Sequence, residues 1–143
     1  MKFDNYMILE FPSRSSNEAF ARSAVACFAA QMDPNLEELG DIRTAVSEAV
    51  TNCIVHAYPE KIGSITLRCR ILKDNVLDIM VKDKGVGIAD VNQARTPSFT
   101  TGGNERSGMG FTIMESFMND LRISSKPGKG TVVLMRRKIQ RRQ

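Results

Sequence analysis

Four short stretches combine polar side chains with glycines: Glu48-x-x-x-Asn52, Asp83-Lys84-Gly85-Val86-Gly87, Gly108-Met109-Gly110 and Gly130-Thr131. On a helix turning about 100° per residue, Asn52 lies about 40° to one side of Glu48 and Thr44 about 40° to the other. Leu39, Val46, Val50, Cys53 and Ala57 gather near the opposite pole. A solvated helix face would carry such a pair equally well. Here Ala45, Ala49 and Val55 flank it, and small neighbours leave room for a ligand. An asparagine carbonyl is a hard oxygen that suits Mg2+, an ion that keeps most of its waters and substrate phosphates. A carboxylate one turn earlier can accept a proton from an attacking hydroxyl.

Asp83 stands where an apolar strand ends, so its carboxylate can accept a hydrogen bond from an exocyclic amine such as that of adenine. Gly85 and Gly87 permit close backbone approach and positive φ. A plain strand ending in a glycine turn shares this pattern. Gly108 and Gly110 lead into a helix beginning at Phe111, and a glycine loop feeding a helix N-terminus offers free N–H groups to phosphate. The Ser98–Gly103 and Glu105–Ser107 segments read as a lid. Within it Arg106 is placed to meet a terminal phosphate or to sit as a surface arginine. Gly128-Lys129-Gly130-Thr131 is no Walker loop, since it lacks the glycine spacing and the lysine–Ser/Thr pair and opens a strand.

The elements that must position these residues follow from periodicity. Tyr6 to Phe11 reads as an edge strand. Ser15-Ser16-Asn17-Glu18 offers a capping box with Ser15 at the N-cap, opening an Ala-rich helix to about Met32 with Phe20, Ala24, Cys27 and Phe28 on one stripe. Asp33-Pro34 reads as the start of a second helix running to about Ala57. Ser64–Leu72 alternates Ile65, Leu67, Cys69 and Ile71 inward, and after a turn at Lys73-Asp74-Asn75 a strand over 76–82 completes a hairpin. Residues 84 to 110 read as one long functional loop. Phe111–Met118 is a helix with Phe111, Met114, Phe117 and Met118 inward. Strands over 121–126 and 131–137 are joined by Pro127-Gly128-Lys129-Gly130. The sum is an α+β fold, a two-layer sandwich whose antiparallel or mixed sheet carries helices on one side.

At 143 residues the chain suits a single domain, 1–143, with a basic tail over about 137–143. Hydrophobic content of 42% and charge of 25% are ordinary for a globular protein. No run is long enough to span a bilayer, and MKFDNYMILEF is a poor signal peptide, so a cytoplasmic setting is expected. The 3 cysteines, Cys27, Cys53 and Cys69, read as small core residues in a reducing compartment. Cys53 and His56 without further ligands make a poor zinc site. The net charge of +4 is concentrated in Arg136, Arg137, Lys138, Arg141 and Arg142, read as a solvated basic end rather than a nucleic-acid surface.

The order E-x-x-x-N, D-x-G-x-G, lid, G-x-G and G-T resembles the ATP-binding domain shared by gyrase, Hsp90 and histidine kinases (the GHKL or Bergerat fold). Within it the runs SEAVTNCIVHAY (47–58), FTT (99–101) and ERSGMGFTIMESFMND (105–120) resemble the anti-sigma serine kinases, those of sporulation in particular. The resemblance covers nearly the whole chain. It implies Asn52 as Mg2+ ligand, Glu48 as general base and Asp83 on the adenine amine. Gly85 and Gly87 would shape the pocket, Gly108 and Gly110 would hold phosphates, Arg106 would approach the γ-phosphate, and Thr131 would assist adenine binding. Thr100, Thr101, Ser107 and Met109 join the same ATP/ADP-binding set. Cys53 and Ala57 depart from the alanine and glycine common there, and His56 reads as a packed or orienting residue. The implied partners are a sigma factor of the sigma-F type, an anti-anti-sigma protein as serine substrate, and a second copy in a homodimer. Glu18 and Arg22 are spaced for an ordinary surface ion pair, and the resemblance makes Arg22 a partner contact. Three alternatives stay open: a stress-response anti-sigma kinase, a non-catalytic ATP-gated module, and a detached histidine-kinase catalytic domain.

Overall fold

The alternating stretches form one five-stranded sheet in the computed structural model, which describes residues 2–95 and 110–140. The strands are β1 (Phe3–Pro12), β2 (Ser64–Leu72), β3 (Val76–Asp83), β4 (Asp120–Lys126) and β5 (Gly130–Lys138), ordered β1-β2-β3-β5-β4. All four pairings are antiparallel, the antiparallel end of the expected range, and β1 is an edge strand, as expected, with β4 at the other edge. Asp74 and Asn75 turn the β2–β3 hairpin in the left-handed region, at φ 64° and 60°. Such values come most readily to Gly, Asn and Asp. Asn75 also accepts the Ile139 N–H and donates from Nδ2 to the Ile139 carbonyl, so this turn holds the chain after β5.

The helices are α1 (Ser16–Ala29), α2 (Leu36–Asn52), α3 (Val91–Ala94) and α4 (Gly110–Phe117). Leu67, Cys69, Leu77, Ile79, Val81 and Met135 turn to the helical side and are buried against Ile42, Val46 and Val50 of α2 and Met114 of α4. Each such aliphatic burial stabilises by about 1.5–3 kcal/mol. The one-turn α3 interrupts the segment expected to be loop. Among the described residues no helix is long and apolar enough to cross a membrane.

Four expectations are corrected. The buried face of α1 is Ala21, Val25 and Ala29, while Phe20 and Cys27 are exposed. Small side chains let α1 lie close over α2, which rotates the stripe away from the bulkier residues. Cys27 is therefore no core residue, unlike Cys53 and Cys69. Ser15 makes no side-chain cap. The capping box belongs to Asn35, whose Oδ1 accepts the Glu38 N–H at 2.7 Å while Glu38 Oε1 accepts the Asn35 N–H at 2.8 Å. Asp33, at φ 56°, instead closes a 3₁₀ turn over Ala30–Met32. The buried Glu38 uses its other oxygen to accept the Gln140 N–H, tying the end of the described chain to the start of α2.

Of the basic end, Arg136 and Arg137 are less solvated than expected, Lys138 is exposed, and Arg141 and Arg142 lie outside the described residues. Arg136 and Arg137 lie in β5, and Arg137 Nη1 bridges Asp41 of α2 at 2.7 Å and the Phe117 carbonyl at 2.5 Å. On the sheet face away from the helices, Asp78 is only 1% exposed. Arg70 and Arg136 are its register neighbours, and they reach it at 3.2 and 2.9 Å, with Arg68 at 3.4 Å. One buried carboxylate thus holds three guanidiniums on the central strands. Asp78→Ala should lower stability by about 2–3 kcal/mol, measured as the shift in urea midpoint at constant m-value.

Candidate nucleotide site

The site forms where the end of α2 meets the end of β3. After Asn52 the helix widens into a π turn over Cys53–Ala57, closed by the Tyr58 N–H to the Cys53 carbonyl at 3.2 Å. Such turns reorient side chains within a helix and are frequent at functional sites. Here the turn brings the Ala57 carbonyl to the Val86 N–H at 3.0 Å, docking the helix on the glycine turn after β3. Gly85 is required by proximity, because a Cβ there would stand 2.2 Å from the Ala57 carbonyl oxygen. Gly87 is required by conformation, at φ 78°, with the Lys126 carbonyl beside it. Both expected glycine roles, close approach and positive φ, are met.

Asp83 is 5% exposed. Its Oδ1 accepts the Gly85 N–H at 2.9 Å and the Thr131 N–H at 3.2 Å, while its Oδ2 accepts the Cys53 thiol at 3.5 Å. A carboxylate has about four lone-pair directions, so one on Oδ2 remains for a further donor. Burial pushes the Asp83 carboxyl above its ordinary value, and the hydrogen bonds from Gly85, Cys53 and Thr131 work against that rise. The Cys53 thiol is pushed well above its ordinary value, first by burial and then by the charge and hydrogen bond of Asp83. Thr131 is brought beside Asp83 as its register partner, and its hydroxyl lies 2.8 Å from Ser125 Oγ.

Glu48 and Asn52 share one side of α2 and face the start of α4. A Cβ at Gly110 would stand 3.2 Å from Asn52 Oδ1, 3.3 Å from Asn52 Nδ2 and 3.3 Å from Glu48 Oε2. The absence of a side chain at Gly110 therefore opens the space onto which an amide oxygen and a carboxylate both border. Asn52 and Cys53 are consecutive, so the Gly110 contact and the Asp83 contact belong to one continuous site. The donor set fits a magnesium nucleotide: an acceptor for a base amine in one part, and a hard oxygen beside a helix N-terminus in the other. Thr100, Thr101, Arg106, Ser107, Gly108 and Met109 lie outside the described residues. Arg22 is on α1, away from this junction, with Glu18 one turn earlier at 3.6 Å.

Three contributors were not foreseen. Cys53 looked apolar because it falls on the hydrophobic pole of α2, yet it donates to Asp83. The Tyr58 hydroxyl accepts the Lys84 N–H and donates to the Ser64 carbonyl, both at 2.7 Å, and so fixes the backbone next to Asp83. Ser125 accepts the Ile88 N–H at 2.8 Å and supports Thr131. Its signal was a polar residue at an inward strand position, in phase with Leu121 and Ile123.

Residues 11–137 match the histidine kinase-like ATPase domain family. The chain is 58% identical over 142 residues to the anti-sigma F factor of Caldanaerobacter subterraneus subsp. tengcongensis, covering 99% of each chain. It is 55% identical over 138 residues to that of Pasteuria penetrans, covering 95% of this chain and 92% of the other. In fold it is similar to the RsbU and RsbW domains of a Mycobacterium tuberculosis protein, at TM-score 0.72 and 17% identity, covering 97% of this chain and 34% of that longer one. The histidine kinase domain of the Erythrobacter litoralis blue-light activated kinase follows at TM-score 0.59 and 22% identity, covering 85% of this chain and 60% of the other. Identity above one half across almost the whole length supports one conclusion: the chain belongs to the anti-sigma F factor family, within the histidine kinase-like ATPase domains.

Proposed function

We propose that this protein is an ATP-dependent serine kinase that also binds and inhibits a sporulation sigma factor of the sigma-F type. Its phosphoryl acceptor is a serine of an anti-anti-sigma protein. The observation that carries the reading is the shared border of Glu48, Asn52 and Gly110 at the start of α4. The relatives named as anti-sigma F factors supply the partner class.

In this reading Asp83 accepts the adenine amine on its remaining lone pair, with Thr131 beside it and Gly85 and Gly87 shaping the floor. Asn52 Oδ1 is the protein ligand of Mg2+, which when bound neutralises phosphate charge. Glu48 takes the proton of the serine hydroxyl as that oxygen attacks the γ-phosphorus and ADP leaves. Gly108 and Gly110 cradle phosphates, Arg106 meets the γ-phosphate, and Thr100, Thr101, Ser107 and Met109 complete the nucleotide contacts. Arg22 is a contact to protein partners. Its ion pair with Glu18 is part-exposed and of little energetic value, so it is readily exchanged for a partner carboxylate. The protein acts in the cytoplasm as a homodimer.

Transfer of label from γ-labelled ATP to a serine of the anti-anti-sigma partner tests the kinase assignment. Glu48→Ala should cut the transfer rate by about 10²–10⁴-fold with ATP still bound, as loss of a general base does. Undiminished transfer in that variant would remove Glu48 from the role. ATP binding by the unmodified protein without any transfer would leave a nucleotide-gated binding module instead.

Asp83→Asn tests the base site. The amide oxygen can still accept from Gly85 and Thr131, but its NH2 turns a donor toward the adenine amine, so ATP affinity should collapse. Because burial raises the Asp83 carboxyl, its ionisation opposes folding, and that step loses stability as pH rises from the ordinary carboxylate range through the raised value. The Asn variant lacks the step, so its thermal midpoint at neutral pH should equal or exceed that of the parent protein while binding is lost.

A further inference from the structure

Cys53 stands where the family resemblance expects alanine, and it is the one side chain that reaches Asp83 Oδ2 among the described residues. The remaining support of that carboxylate comes from backbone N–H groups and converges on Oδ1. Oδ1 is thereby saturated, and the thiol alone decides which direction of Oδ2 stays open. The thiol cannot drift, because Cys53 is 4% exposed and opens the π turn whose far end is docked on the Gly85 turn. Asp83 cannot drift either, held in register between Ile65 of β2 and Thr131 of β5.

We propose that Cys53 is a positioning residue for base selection: its thiol donates to Asp83 Oδ2 and leaves one acceptor direction, matched to an amine and closed to a carbonyl. This rests on the assignment of Asp83 to the adenine amine. Guanine presents a carbonyl oxygen where adenine presents an amine. An ionised Asp83 meets that oxygen acceptor to acceptor and rejects it, whereas a protonated Asp83 can donate to it. Keeping Asp83 ionised is therefore part of selecting adenine, and a donated hydrogen bond favours the ionised form.

The surroundings leave this task to the thiol and the two backbone donors. Cys53 and Tyr58 face Asp83 from the end of α2: the buried thiol donates to Asp83 Oδ2, whereas the Tyr58 hydroxyl donates to the Ser64 carbonyl instead. Ile65 and Thr131, its neighbours on β2 and β5, have no group that titrates in this range. Cys53 is consequently a constant donor rather than a reactive thiol.

The test measures dissociation constants of the full chain for Mg-ATP, Mg-GTP and purine riboside triphosphate, which lacks the 6-amino group. The protein as it is, Cys53→Ser and Cys53→Ala are compared over a pH series that runs from the ordinary carboxylate range, about pH 4, up to about pH 8. Circular dichroism melts establish that each variant is folded. Cys53→Ala should lose about 3- to 10-fold in ATP affinity, the worth of one modest hydrogen bond. Its ATP-over-GTP ratio should fall, and the pH at which ATP binding weakens should move upward. Cys53→Ser, which keeps a donor, should hold the ratio and the pH midpoint near those of the parent. A folded Cys53→Ala with an unchanged ratio and an unchanged midpoint overturns the inference. If the unmodified protein binds ATP and the des-amino analogue equally, the Asp83 assignment itself fails, and this inference fails with it.

Discussion

The docking of the last turn of α2 onto the end of β3 is the contact on which the rest of the site depends. Two close approaches make it: the Gly85 backbone against the Ala57 carbonyl, and the Cys53 thiol against the Asp83 carboxylate. Asn52 and Cys53, about 100° apart on the helix, point one to Gly110 and the other to the strand, and the π turn over Cys53–Ala57 carries the chain on to the Ala57 contact with Gly85. A single helical junction therefore carries both the base-recognising part and the part that borders the metal and phosphates. The relative position of the two is set by one peptide bond, between Asn52 and Cys53.

The remaining architecture keeps this junction rigid. Packing of Ala21, Val25 and Ala29 brings α1 close to α2, and the Asn35–Glu38 capping box fixes where α2 begins. Glu38 and Asp41 then take the Gln140 N–H and the Arg137 guanidinium, so the end of β5 is fastened to the first half of α2. Since β5 also supplies Thr131 beside Asp83, the strand is held at one end to the site and at the other to the first half of α2. The price of the site is a buried carboxylate. Asp83 is desolvated and pushed toward its neutral form, and backbone N–H groups and a thiol offset that cost only in part. A polar group left short of partners within the fold is poised to gain them from a ligand.

Much of this was legible in the chain. Period-two alternation places β2 at Ser64–Leu72, where the structure has it, and the helical period assigns Glu48 and Asn52 to a side of α2 away from its core pole. The misreadings have a common cause. For α1 the apolar stripe through Phe20 and Cys27 was as good a helical pattern as the buried one through Ala21, Val25 and Ala29, and only the closeness of α2 selects the smaller residues. Asp33-Pro34 carries local helix-start chemistry, but Asn35 and Glu38 satisfy the same N-cap reciprocally. Arg136 and Arg137 look like a basic end until Asp78 and Asp41 are brought to them from distant positions.

The sequence alone determined the alternation and helical faces, the glycines after Asp83 and before Phe111, and the pairing of a carboxylate with an amide one turn apart. Those depend on local backbone geometry and on side-chain period, which the order of residues encodes directly. Only the tertiary structure decided that Cys53, on the apolar pole of its helix, is a hydrogen-bond donor. The same is true of Tyr58 and Ser125, which brace the backbone around Asp83. Their partners lie across the sheet or across the helix–strand junction, and a donor finds its acceptor only when packing has brought both out of water to hydrogen-bonding distance.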